Sequence, residues 1–182
     1  MNRSPCRSPV YGMLLALILL TANPAAAGDT LETSGDVLQI LLPAAAYGLS
    51  WFKSDTEGMW QYTCSFATTM VTTYSLKLGT RKERPSGGQM AFPSGHTAAA
   101  FSGAAFITRR HGWRMGLPAC LGALVVGHSR IMAEKHDPED VVAGALIGIL
   151  PVLWFTPERY APSAPRLVLD RERIGLVWAM RW

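Results

Sequence analysis

Five stretches of the chain carry few or no charges: Val37 to Phe52, Met59 to Leu76, Phe92 to Thr108, Met115 to Gly127 and Val141 to Thr156. Nothing else in the sequence limits the fold as strongly, because runs this apolar have to be buried against one another or in lipid. As helices, the five runs span roughly 20 to 27 Å, a little under the hydrocarbon thickness of a bilayer. They are rich in Gly, Ala, Ser and Thr, which suits close helix packing in a membrane and also occurs in buried helices of soluble proteins. The chain is 49% hydrophobic and 16% charged, more apolar than an ordinary soluble domain needs. Its mean hydropathy of +0.15 is modest for a protein wholly in lipid. We expect an all-α fold, a helical bundle of five to six mostly membrane-spanning helices.

The N-terminus adds to this count or subtracts from it. Arg3 and Arg7 precede an apolar run from Val10 to Leu20 and the small residues Ala25-Ala26-Ala27, the layout of a secretory signal peptide, or of an uncleaved first span. Residues 1–27 are therefore read as signal peptide or first span, 28–158 as the functional domain and 159–182 as a basic, aromatic tail. Within that tail Ile174, Leu176, Trp178, Met180 and Trp182 alternate with smaller or polar residues, a strand-like period on what we read as an interfacial or disordered segment. Cys6, Cys64 and Cys120 fit no disulfide framework and no zinc spacing; Cys64 and Cys120 are expected as buried free thiols.

Charge has to be read by position. The net charge of +4 collects in short basic clusters separated by charge-free runs, a pattern that excludes a phosphate-backbone face and hence nucleic acid as a partner. Arg109, Arg110 and Arg114 mark the loop between the third and fourth runs as cytoplasmic. Alternation then places Lys77 to Pro93 and Ser129 to Asp140 together on the outward face.

Those two outward segments hold the chemistry. Lys77, Arg84 and Arg130 supply cations, His96 and His136 imidazoles, and Asp140 an acid close to one of them. Arg matches phosphate oxygens in pairs and Lys adds a point charge, so the trio suits a tetrahedral anion. Pro93-Ser94-Gly95 looks like a helix start, with Ser94 as cap, free N–H groups that can hold an anion, and Gly95 leaving the backbone open to it. One neutral His can attack phosphorus while a protonated one gives a proton to the departing alkoxide. Asp140 can bind the far nitrogen of His136 and fix its tautomer. Taken singly, each residue has an ordinary reading: Asp137-Pro138-Glu139-Asp140 is a helix N-terminus, Ser94 a cap, and Lys77 to Arg84 a solvated basic patch. A metal site is disfavoured because Lys and Arg, not carboxylates, surround His96 and His136 in the sequence.

The order Lys77-x6-Arg84-Pro85, Pro93-Ser94-Gly95-His96 and Ser129-Arg130-x5-His136-x3-Asp140 resembles the three-part signature of the type 2 phosphatidic acid phosphatase superfamily, which includes lipid phosphatases, class A acid phosphatases and vanadium haloperoxidases. The resemblance implies an all-helical core and a phosphatase that needs neither metal nor cofactor and works through a phosphohistidine. It further implies that Lys77, Arg84, Ser94, Gly95 and Arg130 bind phosphate, His96 protonates the leaving group, His136 is the nucleophile and Asp140 orients it. The expected substrate is a lipid phosphate or diphosphate, such as phosphatidic acid, phosphatidylglycerol phosphate, undecaprenyl diphosphate or lipid A. The expected location is the inner membrane of a bacterial-type envelope, embedded in the bilayer with the site facing the periplasm. A soluble periplasmic acid phosphatase, a vanadate-dependent haloperoxidase and a non-catalytic phosphate binder are the competing readings.

Overall fold

The computed structural model describes residues 27–158 together with the two strands Arg166–Asp170 and Arg173–Val177. The leader and Cys6 lie outside the described residues, as do Trp178, Met180 and Trp182. Among the described residues five helices run up and down: α1 (Ala27–Phe52), α2 (Thr56–Thr80), α3 (Gly95–His111), α4 (Trp113–Met132) and α5 (Pro138–Phe155). The strands β1 (Arg166–Asp170) and β2 (Arg173–Val177) pair antiparallel, with Val168 opposite Gly175, so Ile174 and Leu176 of the alternating pattern lie in a strand where an interfacial or disordered segment was expected.

Local signals set the helix ends. Asp55 accepts the Gly58 N–H at 3.1 Å and starts α2, and Arg81 ends it in a left-handed conformation at φ 47°. Ser94 caps α3, and Pro138 sits at the start of α5 behind Asp137. Between α3 and α4 there is a single residue, Gly112 at φ 84°, a value a side chain would resist. The acids Asp29, Glu32 and Asp36 break the apolar pattern but not the helix, so α1 begins ten residues ahead of its apolar run.

α3 packs against the other four helices. Its small residues Ala98, Ala99, Ala100 and Ala104 are buried and let the neighbours come close. The approach to α5 is close: a Cβ at Gly144 would lie 2.5 Å from the Ser94 carbonyl oxygen and one at Gly148 2.4 Å from that of Ala98. That contact holds the Ser94 turn against the helix that begins beside His136.

Polarity is turned inside out. Ser65, Thr69, Thr73, Ser102 and Ser129 are buried, while Leu117, Leu121 and Leu124 on α4 and Val142, Leu146, Leu150 and Leu153 on α5 form exposed stripes. Pro151 cannot donate to the Ile147 carbonyl, and Thr69 Oγ1 donates to that oxygen instead at 3.3 Å. Such interhelical hydrogen bonds do what apolar burial cannot do in lipid, where the surroundings are as apolar as Leu. Among the described residues, two helices are able by length and composition to cross a membrane, α4 and α5. The others, expected mostly to span as well, fall short because buried hydroxyls and the acids of α1 dilute their hydropathy, and because α3 has only 17 residues. Trp51, Phe52, Trp60, Trp113, Trp154 and Phe155 are exposed at one end of the bundle, away from the Ser94 turn, an arrangement typical of a membrane–water interface.

Two expectations need correction. Arg109 and Arg110 are not free loop charges: Arg109 donates to the Thr156 carbonyl and reaches Glu158, and Arg110 is buried in a two-pronged pair with Asp55, 2.6 and 2.7 Å. Only Arg114 of the three has its charge on the surface without such a bond among the described residues. Cys64 and Cys120 are free thiols but half-buried, since each run packs on one face only.

Candidate active site

Every signature residue lies at the end of the bundle opposite the aromatic ring. Lys77 is in the last turn of α2, buried, and its Nζ donates to the Met90 carbonyl at 2.7 Å. Met90 holds that carbonyl in place at φ 66°, a left-handed value that costs a non-glycine residue energy. Arg84 sits in the following loop, braced by its own N–H to the Gly88 carbonyl (2.8 Å) and by Gly87 N–H to its carbonyl (2.9 Å). Its Nε is buried with no hydrogen-bond acceptor among the described residues, a donor available to an anion.

Ser94 is fully buried at the N-cap of α3, where its N–H donates to the Asp140 carbonyl at 2.9 Å and its Oγ shares a hydrogen bond with Thr97 Oγ1 at 2.9 Å. A Cβ at Gly95 would meet Lys77 Cε at 3.6 Å, ordinary contact, so packing does not demand the glycine. The first N–H groups of α3 point into the same region, at the positive end of its dipole.

His136 precedes α5 and is almost wholly buried. Its Nδ1 faces Oδ2 of Asp140 at 3.6 Å, and the same oxygen accepts the Asp137 N–H at 3.1 Å. Asp140 therefore both caps the helix and faces the imidazole. Burial, and next the Lys77 charge, push the His136 pKa down to about 4, against the opposing pull of Asp140. The imidazole is thus neutral over the physiological range, the state a nucleophile needs.

Lys77, Arg84, Gly95, His96 and His136 line one cavity of ≈ 490 Å³. Ser94 and Asp140 stand behind that wall. Arg130 differs from the expectation: it is fully buried and turned to α1, with Nη1 2.8 Å from Asp36 Oδ1, Nη2 2.9 Å from the Glu32 carbonyl and Nε 3.1 Å from Ser129 Oγ. His96 also faces a carboxylate, its Nε2 lying 3.2 Å from the same Asp36 oxygen. Asp140 beside His136 was legible in the sequence; the carboxylate that α1 brings to His96 was not.

Lys82 was also missed. Its Nζ lies 2.7 Å from Asp137 Oδ2, 2.5 Å from Glu139 Oε1 and 2.9 Å from Asp140 Oδ1. Burial opposes its charge, yet hydrogen bonds to Asp137, Asp140 and Glu139 hold the ammonium above its ordinary pKa range. These carboxylates are close enough to hold a metal ion, but the ammonium already supplies their counter-charge.

A neutral, carboxylate-backed imidazole, a second imidazole, two cavity cations and a helix N-terminus define a phosphoryl-transfer site on an all-helical bundle. The PAP2 superfamily model matches residues 58–161, which takes in every signature cluster, and the chain belongs to that superfamily of phosphoric monoester hydrolases. It is 29% identical over 195 residues to the lipid A 4'-phosphatase of Helicobacter pylori strain J99, covering 94% of this chain and 98% of that protein. Among solved structures the fold is similar to Aquifex aeolicus LpxE, with TM-score 0.64, 23% identity and coverage of 78% of this chain and 92% of that one. It is also similar to a transmembrane PAP2-type phosphatidylglycerolphosphate phosphatase from Bacillus subtilis, with TM-score 0.53, 19% identity and coverage of 80% and 90%.

Proposed function

We propose that this PAP2-type lipid phosphatase removes a phosphate group from a phosphorylated glycolipid of the lipid A type, at the outward end of a membrane-embedded bundle. One observation carries the reading. The cavity that holds Lys77, Arg84, His96 and His136 continues along Ile40, Pro43, Phe66, Met70, Tyr74 and Ala99, so a phosphate site opens directly onto an apolar groove between α1 and α2. A soluble ester has no use for such a wall; an acyl chain does. The similarity to a lipid A 4'-phosphatase along almost the whole of both chains supports the choice of head group, and the exposed apolar stripes with the aromatic ring support the bilayer. The periplasmic orientation of the site rests on the charge pattern, in which Arg114 lies at the far end.

The chemistry follows from the side chains. The lone pair of neutral His136 attacks phosphorus through the ring nitrogen away from Asp140, and the bond from phosphorus to the sugar oxygen breaks. His96 gives its proton to that oxygen, which leaves as the alcohol. Asp140 offsets the positive charge growing on His136, while Lys77, Arg84 and the α3 N-terminus hold the phosphoryl oxygens. Water then attacks the phosphohistidine, His96 takes its proton, the N–P bond breaks and inorganic phosphate departs. Arg130 joins the anion by exchanging its bond to Asp36 for one to a phosphoryl oxygen.

Phosphate release from detergent-dispersed lipid A, phosphatidylglycerol phosphate and p-nitrophenyl phosphate tests this. Lipid A is expected to be turned over fastest, with activity abolished in His136→Ala. Undiminished activity in that variant would sink the mechanism, and a preference for the soluble ester would sink the lipid reading.

A further inference from the structure

We infer that Asp36 of α1 is a positioning residue for proton transfer: it accepts the Nε2 proton of His96 and so fixes the ring with its other nitrogen towards the leaving oxygen. The inference rests on the assignment of His96 as the acid. Asp36 lies ahead of residues 58–161, outside the matched span. Its Oδ1 is shared by His96 Nε2 at 3.2 Å and Arg130 Nη1 at 2.8 Å.

The placement of Asp36 is enforced by its surroundings. One residue earlier, a Cβ at Gly35 would lie 2.0 Å from Ser129 Oγ and 2.9 Å from Arg130 Nη2, so α1 can approach this closely only with glycine there. Glu32, one turn back, binds Arg130 through its carbonyl at 2.9 Å and Lys135 through its carboxylate. These contacts, one residue and one turn before Asp36, fix the rotation of α1, and its carboxylate has little freedom to face elsewhere.

The charge balance explains why an acid is needed. Burial and three cations, Arg130 from α4, Lys135 from the loop that follows and Lys77 from α2, work against a proton on His96, and Asp36 is the opposing anion that acts on it. Without that carboxylate the three cations would expel the proton that the leaving alkoxide requires. With it, the protonated ring donates Nε2–H to Asp36 and its remaining N–H to the departing oxygen. After transfer the neutral ring still donates Nε2–H to Asp36, which leaves the other nitrogen bare to take a proton from the attacking water.

The test compares Asp36→Asn with wild type on two substrates, phosphatidic acid in detergent, whose leaving group is a basic alkoxide, and p-nitrophenyl phosphate, whose nitrophenolate departs without protonation. The expected result for Asp36→Asn is a loss of about 10-fold in kcat on the lipid, change within about 2-fold on the aryl ester, and a basic limb of the lipid pH profile moved down by about one unit. Because the substrates are compared within one variant, a lower yield of folded protein does not alter the ratio. Equal losses on both substrates with an unmoved limb would overturn the inference, as would wild-type behaviour on both. Failure of the lipid A reading shows instead as wild-type enzyme that prefers another head group, with the Asp36→Asn ratio unaffected.

Discussion

Nζ of Lys82 lies 2.9 Å from Oδ1 of Asp140, whose other oxygen is 3.6 Å from Nδ1 of His136. A lysine at the surface end of the α2–α3 loop is thereby joined through one buried carboxylate to the candidate nucleophile. In Lys82→Met, the Asp137, Glu139 and Asp140 carboxylates face one another without a counter-charge, and Asp140 is no longer held in place against His136. We expect kcat/KM at pH 7 to fall about 10-fold, the equivalent of about 1.4 kcal/mol of lost transition-state stabilisation. Lys82→Arg, which keeps the charge, is expected to stay near wild type.

His136 gives folding stability a definite pH dependence. Its folded pKa of about 4 lies below the ordinary value of 6.5, so the unfolded chain binds the extra proton first. Stability is then complete above about pH 6.5, falls as pH drops towards 4 and levels off below it, a loss of up to about 3 kcal/mol from this group. Thermal melts in detergent at pH 7 and pH 5 should differ in wild type, and the difference should shrink in His136→Gln. An undiminished difference in that variant would assign the acid sensitivity to another group.

The apolar wall predicts a split between substrates. Met70 lines the cavity two helical turns before Lys77 on the same face of α2, and Met70→Trp fills part of the groove without replacing a phosphate residue. We expect kcat/KM to fall about 10-fold for a long-chain lipid phosphate, the equivalent of about 1.4 kcal/mol of lost binding, and to stay level for p-nitrophenyl phosphate. Equal effects on both esters would show that the groove is not where the chain lies.

The far end of the bundle predicts a stability effect with no change in chemistry. Arg110 is buried against Asp55 in two short hydrogen bonds, with Gln61 Oε1 at 3.2 Å. Asp55→Ala leaves the guanidinium buried with its main partner gone and removes the N-cap of α2, at a cost of about 3 kcal/mol. A lowered melting temperature with unchanged KM in the surviving enzyme is the expected result; a changed KM would mean that this end communicates with the site.

The apolar runs, the cap at Ser94 and the Asp137-Pro138 start were legible because they are local: hydropathy period and capping depend on residues within a turn or two of each other. The signature residues were legible as a set because their spacing along the chain is itself the pattern. The site's carboxylate at Asp36 was not, since it meets Arg130 across 94 positions and appears in sequence only as an acid ahead of an apolar run. Lys82 was read as one charge in a basic patch, and its role depends on α5 delivering Asp137, Glu139 and Asp140 to it. Sequence by itself determined that there would be apolar helices, where several of them begin and which residue types carry phosphate chemistry. Tertiary structure alone decided which charges face each other, because that depends on the rotation and depth at which small-residue helix faces lock together, down to a missing Cβ at Gly35 and Gly148.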